Sequence, residues 1–270
     1  MSGPERTPLD LAHDLTRLGV ERGGTLLVHT SFRAVRPVDG GPEGLIEALL
    51  LALGPEGTLV MPCWSGNRME LFDPLMTPAD RNLGVTAEYL RRDTRSMRGR
   101  HCFAFVALGP KAAQIVGDPV CFPPHGSISA VGRVRDLNGQ ILLLGCGHSE
   151  NTTIHLAEIE AGVFYRRLKR CVLTFEGIPF EIDYAENDHC CERFCIVDGW
   201  MRGIGRQHEG RVGAAQARLM YSRDLVSTVA DHLDAKPELF LHGPNAGCVQ
   251  CDEARTGALV RQRHDTGSEG

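Results

Sequence analysis

The chain has 270 residues, of which 42% are hydrophobic and 23% charged, and a formal net charge of -5. This is the composition of a globular protein with enough apolar side chains for a sizeable core, and its mildly acidic balance excludes the basic surface that nucleic-acid binding requires. The N-terminal segment lacks the layout of a signal peptide and no apolar run reaches the ~18 residues that span a membrane, so we expect a cytoplasmic protein without membrane partners.

The first half of the chain alternates between helix and strand signals. "LDLAHDLTRLGV" predicts a helix, "GGTLLVHTS" a buried strand, and "GGPEGLIEALLLALGPEG" a helix that begins at Pro42 and ends at Gly54. "GTLVMPCW" and "ILLLGCG" predict further strands, with a helix near "TAEYLRRD" and another over residues 152–161. Strands that alternate with helices predict an α/β fold with a central, mostly parallel sheet flanked by helices.

The second half predicts additions to this sheet. "CVLTFEGIPFEIDY" alternates around Glu176-Gly177, which predicts an antiparallel β-hairpin as an appendix. "GAAQARLMYSRDLVSTVADHL" predicts one long amphipathic helix, and "PELFLHGPNAGCVQCDEA" a short strand with a cysteine-bearing turn. We expect a single domain over residues 1–270, with a flexible tail over 258–270.

Polar residues follow three of the predicted strands. They are the His29-Thr30-Ser31 segment, the Cys63-Trp64-Ser65 segment, and Gly147-His148 on the way to His155. Because ligands of open α/β sheets gather beyond the carboxyl ends of the strands, the sequence predicts a site where these three segments meet.

His155 and Asp188 are candidates for acid–base chemistry. His155 falls in the first turn of a helix that begins near Asn151 or Thr152, where the helix dipole favours a neutral ring that can act as a base. Glu158 lies at i+3 on the same face. Asp188 could accept the Nδ1 proton of such a histidine. The alternatives are a structural histidine and a solvated acidic loop.

The loop "HTSFRAVRPVDGG" is a candidate cofactor site. Its backbone amides, Arg33 and Arg36 could hold a phosphorylated, linear cofactor. It matches neither a Walker loop nor GxGxxG, so the alternative is an ordinary loop between a strand and a helix.

Four cysteines form a candidate zinc site. Cys190 and Cys191 are adjacent, and Cys248 and Cys251 form a CxxC turn. Four thiolates could make a closed, tetrahedral structural zinc site, in which His189 could replace one cysteine. The alternative is that all of them are reduced, packed thiols.

The motifs together resemble a known family. "LLVHTSFRAVRPVDGGPEGLIEALLLALGPEGTLVMPCWSG", "GQILLLGCGHSENTTIHLAE" and "ENDHCCERF" are similar to the aminoglycoside 3-N-acetyltransferases, and most similar to their type IV branch, which acts on gentamicin-like compounds and apramycin. The resemblance covers residues 8–257. It implies an α/β fold distinct from the GNAT acetyltransferases, acetyl-CoA as cosubstrate, and acetylation of the 3-amine of the 2-deoxystreptamine ring.

The resemblance also implies roles for individual residues. His155 would be the general base of a direct attack on the thioester, and Asp188 would stabilise the imidazolium. The expected cofactor-binding residues are Thr30, Ser31, Phe32, Arg33, Ala34, Val35 and Ser129. The carboxylates expected to bind ammonium groups of the drug are Glu70, Asp73, Glu158 and Glu186.

Three points stay open at this stage. Asn67 and Arg68 make the wall after "WSG" less acidic than the family pattern, which leaves the preferred drug undecided. A thiol acyltransferase using Cys63, Cys146 or Cys190, or a zinc-dependent hydrolase, is an alternative activity, although no HExxH pattern is present. The protein could be a monomer or a homodimer.

Overall fold

A computed structural model describes residues 5–117 and 120–265 of the chain. The strands are β1 Thr25–Thr30, β2 Thr58–Pro62, β3 Met97–Arg98, β4 Phe105–Leu108, β5 Gln140–Leu144, β6 Arg167–Phe175, β7 Ile178–Glu186, β8 His208–Val212 and β9 Ala215–Tyr221.

The α-helices are α1 Pro8–Leu18, α2 Phe32–Val35, α3 Gly41–Leu53, α4 Val85–Arg92, α5 Ala112–Val116, α6 Ala130–Asp136, α7 Thr153–Glu160, α8 Val197–Gly203, α9 Ser222–Ala235 and α10 Val249–Asp265. Short 3-10 helices cover Arg81–Leu83, His148–Glu150 and Glu192–Ile196.

Seven strands form one sheet in the order β3-β4-β2-β1-β5-β9-β8. The three central strands, β2, β1 and β5, run parallel, with Leu26 of β1 opposite Leu59 of β2 and Gln140 of β5. β4 and β9 flank them in the antiparallel sense. The predicted α/β architecture is therefore confirmed, and the sheet is mixed, with its parallel part at the centre.

The central strands are apolar because both faces of the sheet are covered. Leu26 and Val28 of β1 pack into a core with α1, α3 and α4, whereas Leu27 packs on the other face against α5, α6 and α9. Successive side chains of a strand point to opposite faces, so a continuous apolar run is what a doubly covered strand requires. This packing fixes the polar carboxyl ends of β1, β2 and β5 beside one another.

The hairpin that the sequence predicts is present as a separate two-stranded sheet. β6 and β7 pair in register from Arg167 opposite Glu186 to Phe175 opposite Ile178. Glu176 and Gly177 both have positive φ, 50° and 82°, as the two central residues of a type I′ turn require. The segment 187–191 follows β7 directly and lies beside α7, where His189 Nε2 hydrogen-bonds to Glu158.

Two predictions about the C-terminal third are wrong. Residues 215–221, predicted as the start of a long helix, form strand β9, in which Ala215, Ala217 and Leu219 alternate inward and α9 begins only at Ser222. The alanine-rich composition favours helix, but pairing with β5 and β8 outweighs that local preference. The predicted strand near Phe240 is a turn.

Other parts of the chain follow the predicted boundaries closely. α4 matches the helix predicted near "TAEYLRRD", and α7 lies within the predicted range 152–161. α10 extends to Asp265, and residues 266–270 of the predicted flexible tail lie outside the described residues. A single domain over the whole chain stays a prediction.

No helix in the described ranges has both the length and the apolar character that crossing a bilayer requires.

Candidate active site

The three polar strand ends converge on two neighbouring cavities. The first, which we call the Thr30 cavity, has a volume of about 650 Å³ and lies beyond β1 against the loop 31–36. The second, the His155 cavity, has a volume of about 220 Å³ and lies at the start of α7. Trp64 and Glu150 line both cavities, so a ligand in one would meet a ligand in the other.

His155 is held in one orientation by its own helix. Asn151 Oδ1 accepts the backbone N–H of Thr153 at 3.2 Å, and α7 begins at Thr153, which places His155 in its first turn. The Nδ1–H of His155 donates to Glu158 Oε2 at 2.8 Å. Since a carboxylate can only accept, this bond assigns the Nδ1 proton and makes Nε2 the acceptor atom of the neutral ring, with the Cys191 sulfur 3.6 Å from it.

Glu158 is a fully buried carboxylate with three donors. Besides His155, the Tyr165 hydroxyl donates to Oε1 at 2.6 Å and His189 Nε2–H donates to Oε1 at 2.8 Å. His189 Nδ1 in turn accepts the backbone N–H of Cys191 at 3.2 Å. These donors favour the ionised carboxylate and, despite burial, hold the pKa of Glu158 below its usual value.

The surroundings of His155 raise its pKa. Burial disfavours the imidazolium, but the Cys191 sulfur and the Glu158 carboxylate outweigh that effect and raise the pKa of His155 well above its ordinary value. The titratable groups near the ring are Glu158, Cys191, His189, Asp188 and His125.

His155, Glu158 and His189 are also the kinds of residue that bind metals, and their ligand atoms lie close together. Two ligands on one tetrahedral ion with bonds of ~2.0–2.2 Å would be ~3.4 Å apart. The two His–Glu separations are both 2.8 Å, which is the length of a direct hydrogen bond. The contacts within this group are therefore hydrogen bonds between the three side chains.

Asp188 does not make the predicted contact with His155. Its Oδ2 pairs with Arg167 Nη1 at 2.7 Å and with Lys169 Nζ at 2.5 Å, both from β6. The carboxylate lines the His155 cavity, but Glu158 is the one hydrogen-bonded to the imidazole. The predicted partnership is corrected because the hairpin supplies two cations that the sequence pattern did not reveal.

The four predicted substrate carboxylates occupy different environments. Glu158 is buried and committed to its three donors, so it is not free for a ligand. Glu186 lines the His155 cavity but pairs with Arg68 Nη1 at 2.7 Å. Glu70 is exposed and accepts from the Asn67 side chain, while Asp73 is exposed and accepts two backbone N–H groups of its own loop.

Some of the predicted cofactor-binding residues line the Thr30 cavity and others do not. Four of them line the Thr30 cavity: Thr30, Ser31, Phe32 and Arg33. Ala34 packs beside Gly145, and Val35 is fully buried in the core, so that its side chain cannot contact a ligand. Ser129 caps α6 by accepting the N–H of Gly132 and does not line the Thr30 cavity.

The cysteine cluster forms with a different membership. Cys190, Cys248 and Cys251 come together, but the fourth member is His242 rather than Cys191. Cys191 has φ 57°, and its side chain lines the His155 cavity instead. Its sulfur lies 3.6 Å from His155 Nε2. Neither Cys191 nor His189 therefore belongs to the cluster.

Sequence reasoning missed several residues of the cavities. His125 stacks on His155 with ring centroids 5.3 Å apart, and burial together with the neighbouring His155 lowers the pKa of His125 well below its ordinary value. Glu150 is exposed at the junction of the two cavities. A signal for Glu150 was present, because it lies between the strand end and the helix that carries His155. His125 follows no strand and gave no signal.

Comparison with known proteins places this fold and site in a family. A family model described as aminoglycoside 3-N-acetyltransferase matches residues 27–234. The chain belongs to the aminoglycoside 3-N-acetyltransferase family. It is a transferase of the acyltransferase class, and its α/β fold is the one found in this family rather than a GNAT fold.

The similarity to individual members extends over nearly the whole chain. Aminoglycoside N(3)-acetyltransferase IV of Salmonella sp is 51% identical over 238 residues, 88% of this chain and 91% of the relative. Aminoglycoside N(3)-acetyltransferase VII of Streptomyces paromomycinus is 34% identical over 80% of this chain and 87% of the relative.

Solved structures of a type IV enzyme are also similar to this chain. The apoenzyme of aminoglycoside acetyltransferase AAC(3)-IVa has a TM-score of 0.92 at 51% identity and covers 94% of this chain and 98% of its own. A variant of that enzyme with one histidine replaced by alanine, in complex with a gentamicin, has a TM-score of 0.93 at 50% identity, with coverage of 95% and 99%. The predicted family and branch are confirmed.

Proposed function

We propose that this protein transfers the acetyl group of acetyl-CoA directly to the 3-amine of 2-deoxystreptamine aminoglycosides, in the cytoplasm, and so confers antibiotic resistance. The observation that carries the proposal is the orientation of His155, whose Nδ1 is hydrogen-bonded to the buried Glu158 in a cavity that adjoins a second cavity suited to a cofactor. The complexes of the similar type IV enzyme with a gentamicin and with apramycin support the substrate class.

The Thr30 cavity is the proposed binding site for acetyl-CoA. Arg33 and Arg36 line it, and neither guanidinium has an ion-pair partner among the residues described here, so both are free for phosphate groups. The Thr30 hydroxyl is buried without a hydrogen-bond partner, which suits contact with an amide of a pantetheine arm. Such an arm would carry the thioester past Trp64 towards His155.

The His155 cavity is the proposed site for the acceptor amine. Because aminoglycosides are polycations, their ammonium groups require carboxylates around the cavity. Glu186 and Asp188 line it but are paired with basic residues, so they offer reduced negative charge. Glu150 has no ion-pair partner within the described residues and lies at the junction, where an ammonium group beside the reacting amine could reach it.

The proposed chemistry is a proton transfer coupled to acyl transfer. The 3-amine, bound in its neutral form, attacks the thioester carbonyl, its proton passes to Nε2 of His155, and CoA leaves as the thiolate. The imidazolium is then hydrogen-bonded through Nδ1 to the buried Glu158 carboxylate, which stabilises the charge without a change of geometry. General base catalysis of this kind contributes about 10²–10⁴-fold to the rate.

The Cys191 contact favours one alternative, a two-step transfer through a thiol. Cys191, His155 and Glu158 have the order of a nucleophile, a base and an orienting carboxylate. The earlier candidates are poor nucleophiles, because burial raises the pKa of Cys63 to about 11 and that of Cys146 to about 12. Direct transfer is favoured because the two adjoining cavities allow both substrates to bind at once.

Replacing Cys191 with serine separates the two routes. We expect Cys191→Ser to keep kcat within about threefold of the wild-type value, because removing a non-reacting contact falls well short of the losses that follow loss of a nucleophile. Steady-state kinetics with apramycin measures this, and Cys195→Ser, at an exposed cysteine four residues away, is the matched control. A loss of about 10³-fold or more in Cys191→Ser alone would establish the thiol route.

The pH dependence of kcat/KM provides a second test. The base must be neutral to accept a proton, so activity falls as the pH drops through the His155 pKa, and this limb should lie above the ordinary value for histidine. Glu158→Gln removes the carboxylate that, together with the Cys191 sulfur, raises this pKa, and the limb should then move to lower pH. Comparing the two profiles with one drug cancels the ionisation of the drug itself; superimposable limbs would contradict the assignment.

The proposed activity is tested by the release of free thiol from acetyl-CoA. Purified protein should release one thiol for each drug molecule acetylated, with gentamicin and apramycin among the substrates, and none without a drug. NMR of the product should place the acetyl group on the 3-amine. Acetylation at another amine would refute the regiochemistry, and release that does not depend on a drug would indicate a hydrolase.

A further inference from the structure

A cluster of potential metal ligands lies next to Cys191, which lines the His155 cavity. It consists of Cys190 after β7, His242 after the turn that follows α9, and Cys248 and Cys251 at the start of α10. Their ligand atoms all lie within 4.8 Å of one another. Residues from three separate segments of the chain thus present one nitrogen and three sulfurs to a common point.

Three separations within the cluster are close to those between ligands of one tetrahedral zinc ion. Zinc bonds of ~2.3 Å to sulfur and ~2.05 Å to nitrogen put two sulfurs ~3.8 Å apart, and a sulfur and a nitrogen ~3.6 Å apart. Cys190 Sγ lies 3.7 Å from Cys251 Sγ and 3.3 Å from His242 Nδ1, and Cys251 Sγ lies 3.6 Å from the same nitrogen.

We propose that Cys190, His242, Cys248 and Cys251 bind one structural zinc ion through three sulfurs and Nδ1. The CxxC pair at the start of a helix has the spacing of a zinc knuckle. Glu192 Oε2 lies 3.4 Å from His242 Nε2, so a carboxylate faces the ring nitrogen that would keep its proton once Nδ1 binds metal. Four protein ligands leave no open position, so the ion is not catalytic.

The left-handed backbone at Cys191 explains why adjacent cysteines serve different sites. With φ of 57° at Cys191, the Cys190 thiol faces α10 and the Cys191 thiol faces His155. Through Cys190, the metal would therefore cross-link α10 to the segment that carries Asp188, His189 and Cys191. This consequence for the active site rests on the proposed function; the metal site itself does not.

Metal analysis of the full-length protein tests the proposal. Protein purified without added metal, or incubated with equimolar zinc under reducing conditions, should hold about one equivalent of zinc. Cys190→Ser should retain less than about a tenth of that amount, whereas Cys191→Ser, its neighbour, and the exposed Cys195→Ser should retain all of it. His242→Cys should keep the ion, because a four-thiolate set is also tetrahedral.

Two further measurements make the result independent of catalysis. Cobalt substituted for zinc should give the visible absorption of a tetrahedral thiolate site, and chelation should lower Tm by several degrees. The proposal is overturned if wild-type protein binds no zinc under these conditions. It is also overturned if Cys191→Ser loses the ion while Cys190→Ser keeps it, or if mass spectrometry finds Cys190 and Cys251 joined as a disulfide. Loss of activity with full metal content would count against the proposed function alone.

Discussion

Replacing His155 with alanine is expected to lower kcat by about 10²- to 10⁴-fold, which is the range for loss of a general base. The Kd of gentamicin should change little, because in the proposed mechanism the Nε2 lone pair accepts a proton in the transition state and contributes little to ground-state binding. Steady-state kinetics and calorimetry measure the two quantities separately.

The matched control is His208→Ala, which removes an exposed histidine from β8 outside both cavities. It should keep both kcat and drug affinity. If a well-folded His155→Ala protein kept near-normal kcat at neutral pH, His155 would be a structural histidine, and the base would have to be sought elsewhere in the cavity.

The second large effect is expected from Glu158→Gln. The amide keeps the size of the side chain but removes the negative charge, and it can also present an N–H to His155, which favours the wrong tautomer. We expect kcat to fall on the order of 10²-fold or more. The double variant with His155→Ala should be no slower than His155→Ala alone, because an orienting carboxylate has no effect without its base.

Replacing Asp188 with asparagine tests whether Glu158 or Asp188 is the carboxylate that supports His155. Asp188 pairs with Arg167 and Lys169, so its replacement should lower kcat less than Glu158→Gln does and should add to the effect of His155→Ala. If Asp188→Asn caused the larger loss and Glu158→Gln the smaller one, the proposed roles of the two residues would be reversed. Circular dichroism spectra and Tm values control for misfolding, since Glu158 is buried with three donors.

The parts of the fold that could be predicted are those encoded in short stretches of sequence. The β1 run from Leu26 to Val28 is apolar on both faces, and the Glu176-Gly177 turn requires positive φ at both positions, so each is recognisable without a partner. The stretch from Ala215 to Tyr221 is different. Its strand conformation depends on pairing with β5 and β8, which are distant in sequence, and helical propensity pointed the other way.

The candidate site shows the same division between local and distant contacts. The His155–Glu158 contact follows from i, i+3 spacing on one helix, and the shared face was predictable. The ion pairs of Asp188 could not be predicted, because the two basic residues that contact it lie on β6, in an earlier part of the chain. A motif thus located the carboxylate correctly in the cavity without revealing which positive charges it pairs with.

Which cysteines belong to the cluster depends on the backbone conformation at Cys191, where φ is positive. Spacing identified Cys190, Cys248 and Cys251 but could not show that the chain turns at Cys191 and sends that thiol to His155. His242 belongs to no recognisable motif with the CxxC pair, and only the path of the chain between α9 and α10 brings its ring to the other three residues.

The most direct test of one-step transfer is to follow the acetyl label itself. Enzyme would be mixed with radiolabelled acetyl-CoA, with and without gentamicin, and quenched within and beyond one turnover. We predict that label appears only on the drug, that the protein stays unlabelled at every time, and that His155→Ala slows the appearance of labelled drug. Stoichiometric label on Cys191 in the absence of drug, discharged when gentamicin is added, would contradict the account.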